Sequence, residues 1–293
     1  MAKKRTIKKR KYLRGVKNVK PATKRTVKRP KRKGTVSRAR IVKAIKSVKA
    51  ARMAPRKKAK IVLWDLETTN LKGNYGYILC GATKLVGQPK IKCWSIADSS
   101  TFNDDPTNDK EICKAILESL EDADMWVAHF GKWFDRPMMN TRLLGHGLPP
   151  LPPIPLIDTW KIAKDNLRLN SNRLATIAAW AGLEEKTPLS GPIWIKAMAG
   201  HRPSIKYVIK HCKQDVVVLE QVYEKIKCLS TTHPNVNLVD GRDDACPICG
   251  AQNLQKRGFQ FARTRLYQRY QCQKCGGWSR SSAAEKYPKL TIR

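Results

Sequence analysis

Two acids stand one residue apart in Trp64-Asp65-Leu66-Glu67. Alternate residues of an extended chain point to the same side, so Asp65 and Glu67 project together. Carboxylates held that close repel unless a cation lies between them. Hard divalent cations such as Mg²⁺ take oxygen ligands. The pair therefore reads as part of a metal site, or as two solvated acids at the end of a strand. Asp135 closes the run His129-Phe130-Gly131-Lys132-Trp133-Phe134-Asp135, where a strand is expected to give way to a helix. An acid in the first turn also suits the helix dipole. Asp215 precedes Val216-Val217-Val218-Leu219 inside a long helical pattern, where an unpaired acid is costly. Tyr207, His211 and Asp215 recur at i, i+4, i+8 and are expected on one helical face. His211 there is either a proton acceptor beside a metal ligand or a plain surface histidine.

A second constellation lies near the C-terminus. Cys246-Pro-Ile-Cys249 and Cys272-Gln-Lys-Cys275 are 22 residues apart, and Gly250 and Gly276 follow the two pairs. Four thiolates at this spacing predict a tetrahedral structural zinc site, closed to substrate. Between the pairs, basic and aromatic residues alternate, among them Arg257, Phe259, Arg263, Arg265, Tyr267 and Arg269. Guanidinium groups at such positions reach phosphates while rings stack on bases. The rings could instead form the small core of the module. The other five cysteines are scattered among apolar or helical stretches, which predicts buried thiols in a reducing, intracellular compartment.

The elements that must carry these groups follow from periodicity. Ile61–Trp64 is a short apolar strand, and 75–86 and 90–96 are two more strand candidates. A helix is expected over 109–123, a strand over 125–130 and a helix over 133–145. A short strand ends at Asp158, followed by helices at 158–168 and 172–182. After a Gly/Pro-containing loop, a long helix runs over about 204–228, with Ile209, Val216, Leu219, Val222 and Ile226 inward. Three consecutive strands followed by alternating helices and strands predict an α/β fold with a mixed sheet flanked by helices. Residues 230–241 read as a polar linker.

Charge is unevenly spread. The 293-residue chain carries a formal +36, and residues 1–60 hold 27 of its 59 Lys and Arg with no Asp or Glu. Residues 1–35 are expected to be disordered. Residues 37–53 show helical spacing, for a basic helix that lies on nucleic acid, lies on the catalytic part, or is a solvated linker. Such a field attracts polyanions. No apolar run approaches the roughly 20 residues of a membrane span, and no apolar segment follows the basic start as in a secretory leader.

Taken together, Trp64–Thr69, Gly131–Asp135 and His211–Asp215 resemble the three motifs of the DEDD superfamily of exonucleases. Ile157–Ala163 and Ser171–Leu174 are similar to its phage and bacterial ribonuclease-H-like members. The resemblance covers about residues 60–228. It implies an RNase H-like fold and 3′→5′ hydrolysis of DNA or RNA, single strands above all. It further implies two Mg²⁺ or Mn²⁺ ions on Asp65, Glu67, Asp135 and Asp215. His211 stands where the family carries a tyrosine four residues before the last acid, and Phe130 where it often carries asparagine. The expected organisation is a basic tail over 1–59, an exonuclease domain over 60–229 and a zinc ribbon over 242–281. Other readings of the same residues are a non-catalytic nucleic-acid binder and an RNase H-like endonuclease or junction resolvase.

Overall fold

The computed structural model describes residues 58–183 and 189–286. The expected disordered tail and the helix over 37–53 lie outside the described residues. Five strands form the main sheet: β1 (Ile61–Thr68), β2 (Ile78–Leu85), β3 (Ile91–Ser95), β4 (Met125–Ala128) and β5 (Leu156–Asp158). Their order is β3-β2-β1-β4-β5. The β1–β2 and β2–β3 pairs are antiparallel, and β1–β4 and β4–β5 are parallel. The fold is thus the mixed α/β sheet flanked by helices that the pattern predicts. Strand β1 extends through both acids to Thr68, longer than the apolar run alone indicates, because β2 pairs with it as far as Ile78.

The period of two in β1 divides the core. Val62, Trp64 and Leu66 face one side, and Leu63 faces the other. On the first side lie α1 (Lys110–Leu120) and α2 (Asp135–Gly145), with Ile116, Leu120, Met139 and Leu143 buried. Trp64 and Trp126 meet edge to face there at 5.9 Å. On the second side lie α3 (Thr159–Asn166) and α4 (Leu174–Trp180). Helix α5 (Gly191–Met198) stands where Gly and Pro predict a loop, because Pro192 sits at the helix start, where its missing N–H costs nothing. The 25-residue helix α6 (Arg202–Ile226) spans both sides: Val208 and Cys212 pack in the first cluster, Leu219 and Val222 in the second. An ion pair between Lys84 and Glu220 fixes α6 to β2. Among the described residues, no helix is long and apolar enough to cross a membrane.

The stretch over 230–241 is not a bare linker. It carries the short helix α7 (Asn237–Asp240), and Val236 packs into the second core cluster. A three-stranded antiparallel sheet follows, β6 (Leu254–Ala262), β7 (Arg265–Cys272) and β8 (Trp278–Arg280), in the order β6-β7-β8.

Candidate active site

Asp65 and Glu67 share the face of Leu63, as their spacing dictates, and point away from the Trp64 cluster. Helix α6 brings His211 and Asp215 against them. The Cys212 thiol lies 3.7 Å from the Asp65 carbonyl, so the helix sits close on the strand. His211 Nε2 stands 3.7 Å from Glu67 Oε1 and 3.8 Å from Asp215 Oδ2. Ligand atoms of Glu67, His211 and Asp215 lie within 4.8 Å of one another, a set that can hold a cation. Asp135, first residue of α2, is buried, and its Oδ1 accepts the Leu66 N–H at 3.1 Å. Burial pushes its carboxyl up to about 7, and the charge of Asp158 adds to the shift.

All five of these residues line one cavity of about 590 Å³, with Phe130, Trp160 and Arg173 along its wall. Tyr207 does not join them. It lines a neighbouring groove with Lys206 and Lys210.

The turn between β4 and α2 positions Asp135. Gly131 is required there, since a Cβ at this position would stand 2.3 Å from Ala128 Cβ. The buried carboxylate of Asp158 holds the turn. Its Oδ1 accepts from Phe130 N at 2.9 Å and its Oδ2 from Lys132 N at 3.0 Å. The same carboxylate caps α3 through Trp160 N at 3.0 Å. His129 bridges Thr159 Oγ1 and the Asn172 carbonyl, each at 2.9 Å. These clamps escaped the sequence reading because their partners lie far apart along the chain.

Residues 62–227 match the family described as the RNase H superfamily. The chain belongs to the RNase H superfamily. No curated protein matches its sequence. A solved structure of the family B DNA polymerase from the hyperthermophilic archaeon Pyrobaculum calidifontis is similar in fold, with a TM-score of 0.47 and 12% identity. The match covers 71% of this chain and 31% of that one, so the chain spans under a third of the polymerase's length.

Beyond the RNase H superfamily region, the four predicted cysteines converge. The Cys246 and Cys275 sulfurs are 3.7 Å apart, as are those of Cys249 and Cys272, and all four lie within 4.8 Å. Thiolates at about 2.3 Å from a tetrahedral Zn²⁺ stand about 3.8 Å from each other, so the donors fit that ion. Gly250 and Gly276 take φ of +71° and +74° in the turns that follow the pairs. The strand faces differ in character. Arg269 lies over the Trp278 ring and Arg280 over Tyr267, the latter at 3.7 Å. Tyr267 is buried, contrary to its expected stacking role, because Arg280 covers it. Arg257, Phe259, Arg263, Arg265 and Arg269 are exposed. Trp278 and Arg280 are exposed as well and were missed, lying beyond the second cysteine pair.

A further cluster of metal-ligand types, Asp109, Cys113 and His146, is occupied by protein. Asp109 is fully buried and accepts from Arg142 Nη2 at 2.7 Å and from Ile78 N at 2.8 Å. It is a tie between β2 and α2.

Proposed function

We propose that this protein is a metal-dependent 3′→5′ exonuclease acting on phosphodiester bonds of single-stranded DNA or RNA. The reading rests on one observation: Asp65, Glu67, Asp135, His211 and Asp215, from three elements, line a single cavity in an RNase H superfamily chain. The donors are carboxylate oxygens with one imidazole, a set suited to Mg²⁺ or Mn²⁺. The raised pKa of buried Asp135 supports the fit, since a neighbouring cation restores the charge that burial disfavours. Asp65, Glu67, Asp135 and Asp215 would hold two such ions. Bound there, the ions supply a water of lowered pKa and neutralise charge on the reacting phosphate.

His211 Nε2, between Glu67 and Asp215, receives the proton of the attacking water. Arg173, at the cavity wall, meets the phosphate of the incoming strand. The 3′→5′ polarity is what the resemblance of the three motifs to those of the DEDD exonucleases implies. Cys246, Cys249, Cys272 and Cys275 would hold one Zn²⁺ and fill its four positions, so that it would organise the ribbon over 242–281 and leave hydrolysis to the domain over 60–229. The exposed Arg257, Phe259, Arg263, Arg265 and Arg269 give the strand a second contact.

End-labelled single-stranded DNA and RNA, incubated with Mg²⁺ or Mn²⁺, test the reading. Stepwise shortening from the 3′ end is expected. Internal cuts would make it an endonuclease, and a retarded band without cleavage would make it a binder.

A further inference from the structure

Phe130 has φ of +65° and is the only non-glycine with positive φ among the described residues. A bulky L residue is costly in this region, whereas Asn and Gly enter it readily. The conformation persists because its surroundings fix it. Asp158 takes the Phe130 N–H at 2.9 Å, and the Phe130 carbonyl accepts from Trp133 N and Phe134 N at 3.0 Å each. The ring gains little burial in return. It is 40% exposed, stands outside the core clusters and lines the carboxylate cavity. It meets Trp160 edge to face, with centroids 4.9 Å apart at 71°, so Trp160 braces it without stacking over it. Lys164 lies over Trp160 and Arg173 lines the same wall, placing positive charge beside the rings.

An aromatic ring held in a strained conformation, half-exposed, beside carboxylates proposed to hydrolyse phosphodiesters, matches one ligand chemistry. A flat, neutral base attached to a phosphate stacks on the ring while its phosphate faces the acids. An internal base has both faces covered by its neighbours, whereas the base at a strand's end keeps one face free, so a terminal base fits best. We infer that Phe130 is the specificity-determining residue of the site, the platform that selects a strand by its terminal base. The inference rests on the exonuclease reading for the phosphate's place, but the stacking itself does not require hydrolysis.

The full-length chain, with Phe130→Asn and Phe130→Leu, provides the test. The probe is a short single-stranded DNA with 2-aminopurine at its 3′ end, bound in the absence of divalent cations. Stacking on Phe130 quenches the probe in wild type, and both variants lose the quenching while still binding the strand. In hydrolysis, wild type prefers a terminal base over an abasic terminus by about 10–100-fold in kcat/KM. Phe130→Asn brings that ratio to within about threefold, through KM rather than kcat. Its melting temperature rises, because Asn tolerates the left-handed turn. Unchanged quenching in both variants, or equal losses on both termini with a lower melting temperature, would overturn the inference and make Phe130 a packing residue. Quenching that depends on Phe130 in a protein that cuts neither strand would sink the exonuclease reading and leave the platform intact.

Discussion

The carboxylate cavity and the cysteine cluster assemble donors in opposite ways. The cavity draws Asp65 and Glu67 from β1, Asp135 from α2 and Asp215 from α6, residues up to 150 positions apart in sequence. What holds them is the apolar core on both sides of the sheet, with Trp64, Leu63, Val208 and Leu219 all buried. The cysteine cluster takes its donors from two local pairs, each aimed by its own tight turn. Its core is only Cys246, Ile248 and Cys272 with a few partly buried neighbours. A core that small cannot offset the entropy of ordering the chain. The cavity is therefore shaped by its core, and the cysteine module is expected to need a metal on its four thiols to fold.

Asp215→Asn strikes the cavity hardest. Nuclease turnover should fall by about 10³-fold or more with the main melting transition little changed, as calorimetry and the end-labelled assay together would show. A collapse of that transition would mean that the acid, not the core, holds the cavity. His211→Ala should slow hydrolysis by about 10²–10⁴-fold, as the end-labelled assay would show. Wild-type turnover in this variant would remove His211 from proton transfer.

Cys272→Ser breaks the other side of the comparison. Metal analysis should fall from about one zinc per chain towards none, and amide exchange over 246–280 should accelerate while β1 and α6 stay protected. Uniform loss of protection would show that the two regions fold as one.

The smallest effect concerns pH. In the metal-free protein Asp135 titrates near 7 when folded and near the ordinary 3.8 when unfolded. Between those values the unfolded chain gives up a proton that the folded one keeps. Stability therefore falls as pH rises through that window and levels off above about 7. Metal-free protein should melt higher at pH 5 than at pH 8, and Mg²⁺ should raise the melting point more at pH 8. Asp135→Asn, which keeps an acceptor for Leu66 N–H, should remove this slope. An unaltered slope in the variant would assign it to other groups.

Much of the fold was legible because its signals are local. The apolar period of α6, the strand runs of β1 to β4 and the CxxC spacing all follow from neighbours within a few residues. Where local signals mislead, the reasons are specific. Pro192 starts a helix instead of ending one. In β6 a register shift between Lys256 and Phe259, with Gly258 at φ +66°, breaks the simple alternation of faces. Val236 joins a core that is remote from it in sequence.

By itself the sequence determined which residue types could do chemistry and which elements carry them. Strand spacing made Asp65 and Glu67 neighbours, helix spacing put His211 beside Asp215, and paired cysteines announced a cluster of four thiols. Tertiary structure alone decided that Asp135 is buried enough to resist ionisation, that Asp158 holds the turn before it, and that Phe130 is turned towards the cavity. Each of these depends on contacts between distant segments, and a dihedral angle or a pKa is set by what surrounds a group, not by its place in the chain.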